Sequence, residues 1–438
     1  MSKRSRKAKP SKSLPRADRP PWAAIGVCLF LVGFAAPIPI QWPLVALVLF
    51  ASVAAFSEGA APEWQVPLPF TLAVIAFLLL TGLSIFLSVD RSRSLELSAS
   101  WIPGLLLFVV IAERLRSADD LRAVYACFAL VGLGLAVALL VGRWSYGADS
   151  HAWLQGLGLP VLVVPNDCHF LALLTPFSLV LADRNPRSGL GVLALVSILM
   201  TGGAILALGS RGGALTLIAG LVVTGTLLRP RLGIGLGVAV LLGVGLGDAL
   251  LGFPLASKFT HVVDTRVSLW MIAWEMFLDA PWVGQGPHSY RSLYTIYMEA
   301  ITFPEWVRMD PWGTEVPWAH NLYLELLAER GILGFASFAV LVGTAFFLGI
   351  KARAQGSPEE SRLACGAVGA LLALLVSGLF EASLLRIWAV VLLFVLAGVI
   401  GRLAALTGDS QAGDSRLGAS LTGHRGKPCQ PTPRGRSR

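Results

Sequence analysis

Charge is what this chain has least of. Only 14% of its 438 residues are Asp, Glu, Lys or Arg, where soluble proteins carry roughly 25%. In contrast, 55% are hydrophobic, and the mean hydropathy is +0.70. That balance excludes a soluble globular domain and defines an integral membrane protein. Cysteine is sparse as well: Cys28, Cys127, Cys168, Cys365 and Cys429 are scattered, odd in number and without CxxC spacing. They exclude a disulfide framework or zinc site and read as packing residues. No Asp-x-Asp pair occurs anywhere, so the carboxylate pair that commonly holds a divalent metal is missing.

What the chain has in abundance is apolar runs long enough to cross a hydrocarbon core of about 30 Å. About twelve recur, centred near Phe30, Val48, Ala76, Leu106, Ala136, Thr175, Ile198, Ala219, Ala239, Phe338, Leu372 and Leu393. The expected fold is all-α, with about twelve transmembrane helices and a large external loop between the ninth and tenth. The expected organisation is a basic tail over 1–20, spans one to nine over 21–252, the loop over 253–318, spans ten to twelve over 319–402 and a second tail over 403–438.

The formal net charge of +9 does not mark a nucleic-acid binder. Residues 1–20 carry +7 and residues 402–438 carry +5, which leaves −3 for everything between. Both tails are rich in Ser, Pro, Gly and Arg, so they are expected to be disordered and cytoplasmic, facing anionic lipid headgroups. The short segments Glu113–Arg116, Asp183–Arg187, Arg229–Arg231 and Lys351–Arg353 then fall inside, and all are basic as the rule requires. The run Trp22–Ala36 follows a basic segment, but with so many spans after it, it reads as a signal anchor rather than a cleaved leader.

The polar insert is too long for a structureless loop and is expected to be partly folded. Asp264–Asp279 reads as a helix ending at Ala280-Pro281. Its aromatic stripe of Trp270, Trp274 and Phe277 suits a headgroup interface, and Arg266 lies on the same stripe. Gly284-Gln285-Gly286-Pro287 follows as a tight turn with exposed amides. Beyond it, Tyr290-Arg291 either reaches substrate or faces solvent.

Three ionisable residues stand out. The insert is acidic overall, so Arg266 is either paired with a neighbouring acid or held there for a ligand. Arg211, in Ser210-Arg211-Gly212-Gly213 between two apolar spans, either snorkels or marks a site. His320 stands where a helix begins: it is either a hydrogen-bonding group at the helix end or a base, since imidazole titrates near neutrality. Asn321 suits a cap. Glu325 and Glu329, four apart, are either partners of a site or a solvated face. Glu381 and Arg386 read by default as a structural pair.

These residues carry a resemblance. Ser210-Arg211-Gly212, Arg266 with Trp270, Pro281-Trp282-Val283-Gly284-Gln285-Gly286, Ala319-His320-Asn321-Leu322-Tyr323-Leu324 and Glu329-Arg330-Gly331-Ile332-Leu333-Gly334, in that order, resemble the bacterial O-antigen ligase and O-antigen polymerase superfamily. Protein O-oligosaccharyltransferases and exopolysaccharide polymerases share this framework. Pro165-Asn166-Asp167 and Ser88-Val89-Asp90 with Ser94 resemble weaker signatures. The likeness spans roughly residues 70 to 400.

The resemblance implies a glycosyltransferase of the cytoplasmic membrane with its site on the outer face. It would move a glycan from an undecaprenyl-pyrophosphate carrier to a hydroxyl of a lipid, glycan or protein acceptor, with inversion and without metal or cofactor. Under it, His320 is the catalytic base and Arg211 and Arg266 bind pyrophosphate. Ser210, Asn321, Glu325, Glu329, Gly284, Gly286, Trp270 and Asn166 support them. The chemistry agrees: pyrophosphate leaves as an anion, and planar arginine forks replace a metal as its counter-charge. Two other classes remain open from the residues alone. A lipid-linked glycan flippase would show paired repeats, and none is convincing here. A metal-dependent transferase would use an external carboxylate such as Asp90.

Overall fold

The computed structural model describes residues 21–58, 64–147, 156, 158–159, 161, 168–251, 255–307 and 318–423, with side chains left out for several of residues 240–250, for 251–265 and for 409–423. The helices are α1 (Trp22–Ala35), α2 (Gln41–Glu58), α3 (Leu68–Phe86), α4 (Arg91–Ser98), α5 (Ile102–Arg114), α6 (Ala118–Tyr146), α7 (Cys168–Arg184), α8 (Gly189–Leu208), α9 (Arg211–Leu228), α10 (Pro230–Leu251), α11 (Leu255–Asp279), α12 (Ser289–Ala300), α13 (Leu322–Gln355), α14 (Pro358–Gly378) and α15 (Ile387–Gly423). The described residues contain no strand.

Among the described residues, eight helical segments are long and apolar enough to cross a membrane, while α1 and α2 are apolar but shorter. The protein is therefore a multi-pass membrane protein. Twelve spans are more than these criteria identify, although every expected centre lies within a helix. The last helix runs to Gly423, past the boundary at residue 402 read from the sequence, so part of the expected disordered tail is helical.

Helix ends follow local chemistry. Ser117 with Asp120 and Ser357 with Glu360 form capping boxes at α6 and α14, and Ser188, Ser210 and Asn321 cap α8, α9 and α13 through their side chains. Each satisfies amide donors that a helix start leaves unpaired. Inside the bundle α15 packs on α5, α13 on α3 and α14, and α9 on α7 and α14. Outward-facing Leu68, Leu79, Leu199 and Phe347 stay exposed, as a bilayer-facing surface requires. Cys127, Cys168 and Cys365 are buried and Cys28 is partly so.

Basic turns gather at one end. Arg229 pairs with Asp183 at 3.0 Å, Arg184 and Arg122 both meet Glu359, and Arg353 donates to the Leu227 carbonyl at 3.0 Å.

The insert is built, not loose. Helix α11 begins nine residues before the Asp264 start read from the sequence and ends, as expected, at Asp279. With α12 and the first turns of α13 it encloses a small core of Leu269, Ile272, Ala273, Met276, Tyr290, Tyr294, Ala319 and Ala328, separate from the main one. The expected aromatic stripe divides: Trp270 packs against this core while Trp274 is exposed.

Candidate active site

The end of the bundle opposite those basic turns brings together four separate segments. Asn321 caps α13 by accepting from the Tyr323 and Leu324 amides at 3.0 and 3.1 Å. The cap fixes the start of the helix and leaves His320 just outside it, on a left-handed backbone with φ 49°. That conformation is uncommon for a residue with a side chain and is tolerated where the surroundings enforce it. From there His320 Nδ1 lies 3.1 Å from Glu381 Oε2. A carboxylate only accepts, so Nδ1 carries a proton, and in the neutral ring it is Nε2 that keeps the lone pair.

Glu381 is the hub. Its Oε1 accepts from Arg386 Nη2 at 2.6 Å, and Arg266 Nη2 stands 4.0 Å from Oε2. The carboxylate is 2% exposed, against 12 to 20% for the side chains of Arg266, His320 and Arg386 around it. Burial would push its pKa up, but the His320 hydrogen bond and the charge of Arg386 outweigh burial and hold it below the usual carboxylate value. Arg386 also lies over the Trp318 ring at 4.4 Å, and that ring stands 5.5 Å from His320.

The turn bearing Glu381 is braced on all sides. The Ser377 carbonyl accepts from the amides of Phe380, Glu381 and Ala382 at 3.0, 2.8 and 3.0 Å. The Leu384 amide donates to Glu325 Oε1, and Trp101 Nε1 donates to the Leu384 carbonyl, both at 3.2 Å.

Arg211 opens α9 behind its cap Ser210, whose Oγ accepts from the Gly213 amide at 3.2 Å. Its charge interacts with that of Arg266. The next residue, Gly212, leaves room that a Cβ would lose to the His169 ring and to Phe380. Arg211 therefore enters beside the Glu381 turn. Three arginines against one carboxylate leave this pocket with an excess of two positive charges.

Several expectations change here. The amides of Gly284, Gln285 and Gly286 are not exposed: they donate to the carbonyls of Ala280, Ala328 and Glu329 at 2.9 Å each. Helix α13 breaks at Gly331 (φ 62°), and the amides of Ile332 and Leu333 return to the carbonyls of Pro281 and Trp282. The two glycine-bearing motifs are thus one clasp. Ser84 seals it by bonding the carbonyls of Val283 and Glu329 at 2.9 and 2.8 Å, and Ser94 donates to the Pro287 carbonyl.

Glu325 and Glu329 are fully buried rather than a solvated face. Glu329 accepts from the Tyr290 amide and from Arg330, and neither acid is the partner of His320. Tyr290 is buried with its hydroxyl on the Leu269 carbonyl, while Arg291 is exposed. Asp90 caps α4 by accepting from the Arg93 amide. Asn166 lies outside the described residues. His169, which the sequence reading passed over, sits among these groups, and only its neighbourhood to Pro165-Asn166-Asp167 was available as a signal.

Fold and site together define a multi-pass membrane protein with a histidine–carboxylate pair in an arginine-rich recess. Residues 194–339 match the family model described as O-antigen ligase, which supports the O-antigen ligase/polymerase superfamily for this segment. The match takes in Arg211, Arg266, His320 and the clasp, about a third of the chain, and leaves His169, Glu381 and Arg386 outside it. That domain family implies a glycosyl-transfer enzyme in general. No curated protein matches the chain.

Proposed function

We propose that the protein transfers a glycan from an undecaprenyl-pyrophosphate carrier to an acceptor hydroxyl at the outer face of the cytoplasmic membrane. The observation that carries this reading is the His320–Glu381 contact at 3.1 Å beside Arg266, Arg386 and the Arg211 helix start. Imidazole Nε2 takes the acceptor proton as its oxygen forms a bond to the anomeric carbon. The bond from that carbon to the phosphate oxygen breaks, its electron pair leaves with pyrophosphate, and the anomeric centre inverts. Arg211 and Arg266 take up the charge that develops on the leaving group. Glu381 holds the ring in its base-competent tautomer and stabilises the imidazolium that forms.

The reading is metal-independent, with guanidinium forks in the place of a cation as the counter-charge of the leaving group. The test uses the full chain reconstituted in liposomes with a defined carrier-linked glycan donor and a hydroxyl acceptor. Transfer is expected to persist in excess EDTA, and Arg211→Lys and Arg266→Lys to lose roughly tenfold or more in donor turnover, because an ammonium cannot make the bidentate contact. Unchanged turnover in both variants overturns the clamp, and loss of transfer on chelation overturns metal independence.

A further inference from the structure

Beneath the arginines lies a buried histidine that this chemistry leaves unused. His169, the second residue of α7, is 3% exposed. Its Nδ1 stands 2.9 Å from Ser377 Oγ and 3.3 Å from Thr216 Oγ1. Thr216 spends its single proton on the Gly212 carbonyl at 2.8 Å, so a bond between it and His169 needs Nδ1–H as donor. The Cε1–Nε2 edge of the ring lies on the backbone of Gly212: a Cβ built there would stand 2.6 Å from both atoms. That contact accounts for glycine directly after Arg211.

The same ring thus touches both halves of the site. Thr216 and Gly212 belong to the first turns of α9, which Arg211 opens. Ser377 is the last residue but one of α14, and its carbonyl holds the amides of Phe380, Glu381 and Ala382.

We propose that His169 is a positioning residue that sets the spacing between the Arg211 helix start and the Glu381 turn by sharing its one Nδ1–H, in a three-centre bond, between Ser377 and Thr216. It thereby sets the distance from the anion clamp to the His320 base. The inference rests on the proposed transfer reaction. Misplacement of reacting groups by about 1 Å costs up to a hundredfold in rate, so a buried tie between clamp and base has kinetic consequences that a space-filling ring lacks.

Asparagine places an amide donor near Nδ1, whereas leucine keeps comparable bulk and donates nothing. In the reconstituted full chain, His169→Leu is expected to lower kcat roughly tenfold or more and raise the donor KM, and His169→Asn to recover most of the loss. Ser377→Ala, which leaves the ring untouched, is expected to shift both constants the same way. Transfer by His169→Leu within about twofold of wild type, or equal losses in His169→Leu and His169→Asn, overturns the proposal. A wild-type protein without transfer activity contradicts the proposed function instead. The comparison is then read from binding of inorganic pyrophosphate. His169→Leu weakens that binding if the ring ties the clamp in place, and unchanged binding overturns the tie.

Discussion

His320 combines an uncommon backbone conformation, a proton fixed on Nδ1 and a ring nitrogen left for chemistry, and each has a separate cause. The backbone is set by the Asn321 cap that follows it, and the proton by Glu381, whose own charge is secured by Arg386. Replacing Glu381 by Gln removes the charge while keeping the shape. The amide can donate to Nδ1 and reverse the tautomer, so kcat is expected to fall by roughly a hundredfold or more with donor KM little changed. A steady-state comparison at neutral pH checks this, and a Glu381→Gln enzyme of normal kcat would reduce the carboxylate to a structural tie. Truncating the cap separates structure from chemistry: Asn321→Ala is expected to lose about 1 kcal/mol of stability, read as a lower thermal midpoint in detergent. The sequence named His320 and Arg211 as rare ionisable groups beside apolar spans, and Arg266 as a cation within an acidic insert. It undervalued Glu381, because a Glu and an Arg five residues apart look like any local pair until the fold brings a distant histidine to the same carboxylate.

At the level of elements, the clasp between Pro281–Gly286 and Glu329–Leu333 ties the insert to a break in the helix that His320 precedes. Gly331 and Gly284 combine positive φ with backbone approach so close that no Cβ fits. Gly331→Ala is expected to cost more than the roughly 1–2 kcal/mol of a left-handed residue alone, because the Trp282 backbone must also move. Thermal unfolding of the purified variant measures the loss; a midpoint equal to wild type would mean that the clasp is not needed to hold the insert. The motifs were legible as motifs, but their meaning was not. A GxG reads locally as a turn with free amides, and contact across more than forty residues shows the Gln285 and Gly286 amides already occupied. The aromatic helix was legible from its period, whereas its division into a packed Trp270 and an exposed Trp274 depends on the second core.

For the molecule as a whole, apolar runs revealed the helical membrane architecture because long apolar helices follow from length and composition. The buried ionic row was not legible, since Glu325, Glu329 and Arg330 on one helix resemble a solvated face. That row influences stability through His288, whose pKa is pushed down to about 3 by burial first and then by the charges of Arg330 and Arg93. The unfolded chain binds this proton near 6.5 and the folded one only near 3, so the unfolded state holds more protons between those values. Stability therefore falls as pH drops from about 6.5 towards 3, and the folded state is favoured above that window. The thermal midpoint is expected to decline from about pH 6.5 to about pH 5 in wild type and less in His288→Gln; equal slopes would contradict this assignment. The depressed Glu381 carboxyl acts in the same sense, but only below the ordinary carboxylate range.

The central claim is that His320 accepts the acceptor proton during glycan transfer. It is tested most directly by transfer in liposomes containing purified wild type or His320→Ala, with the same carrier-linked donor and acceptor. A loss of roughly a hundredfold or more in kcat is expected, with the variant still folded and still binding pyrophosphate. Near-normal transfer by His320→Ala would contradict the account.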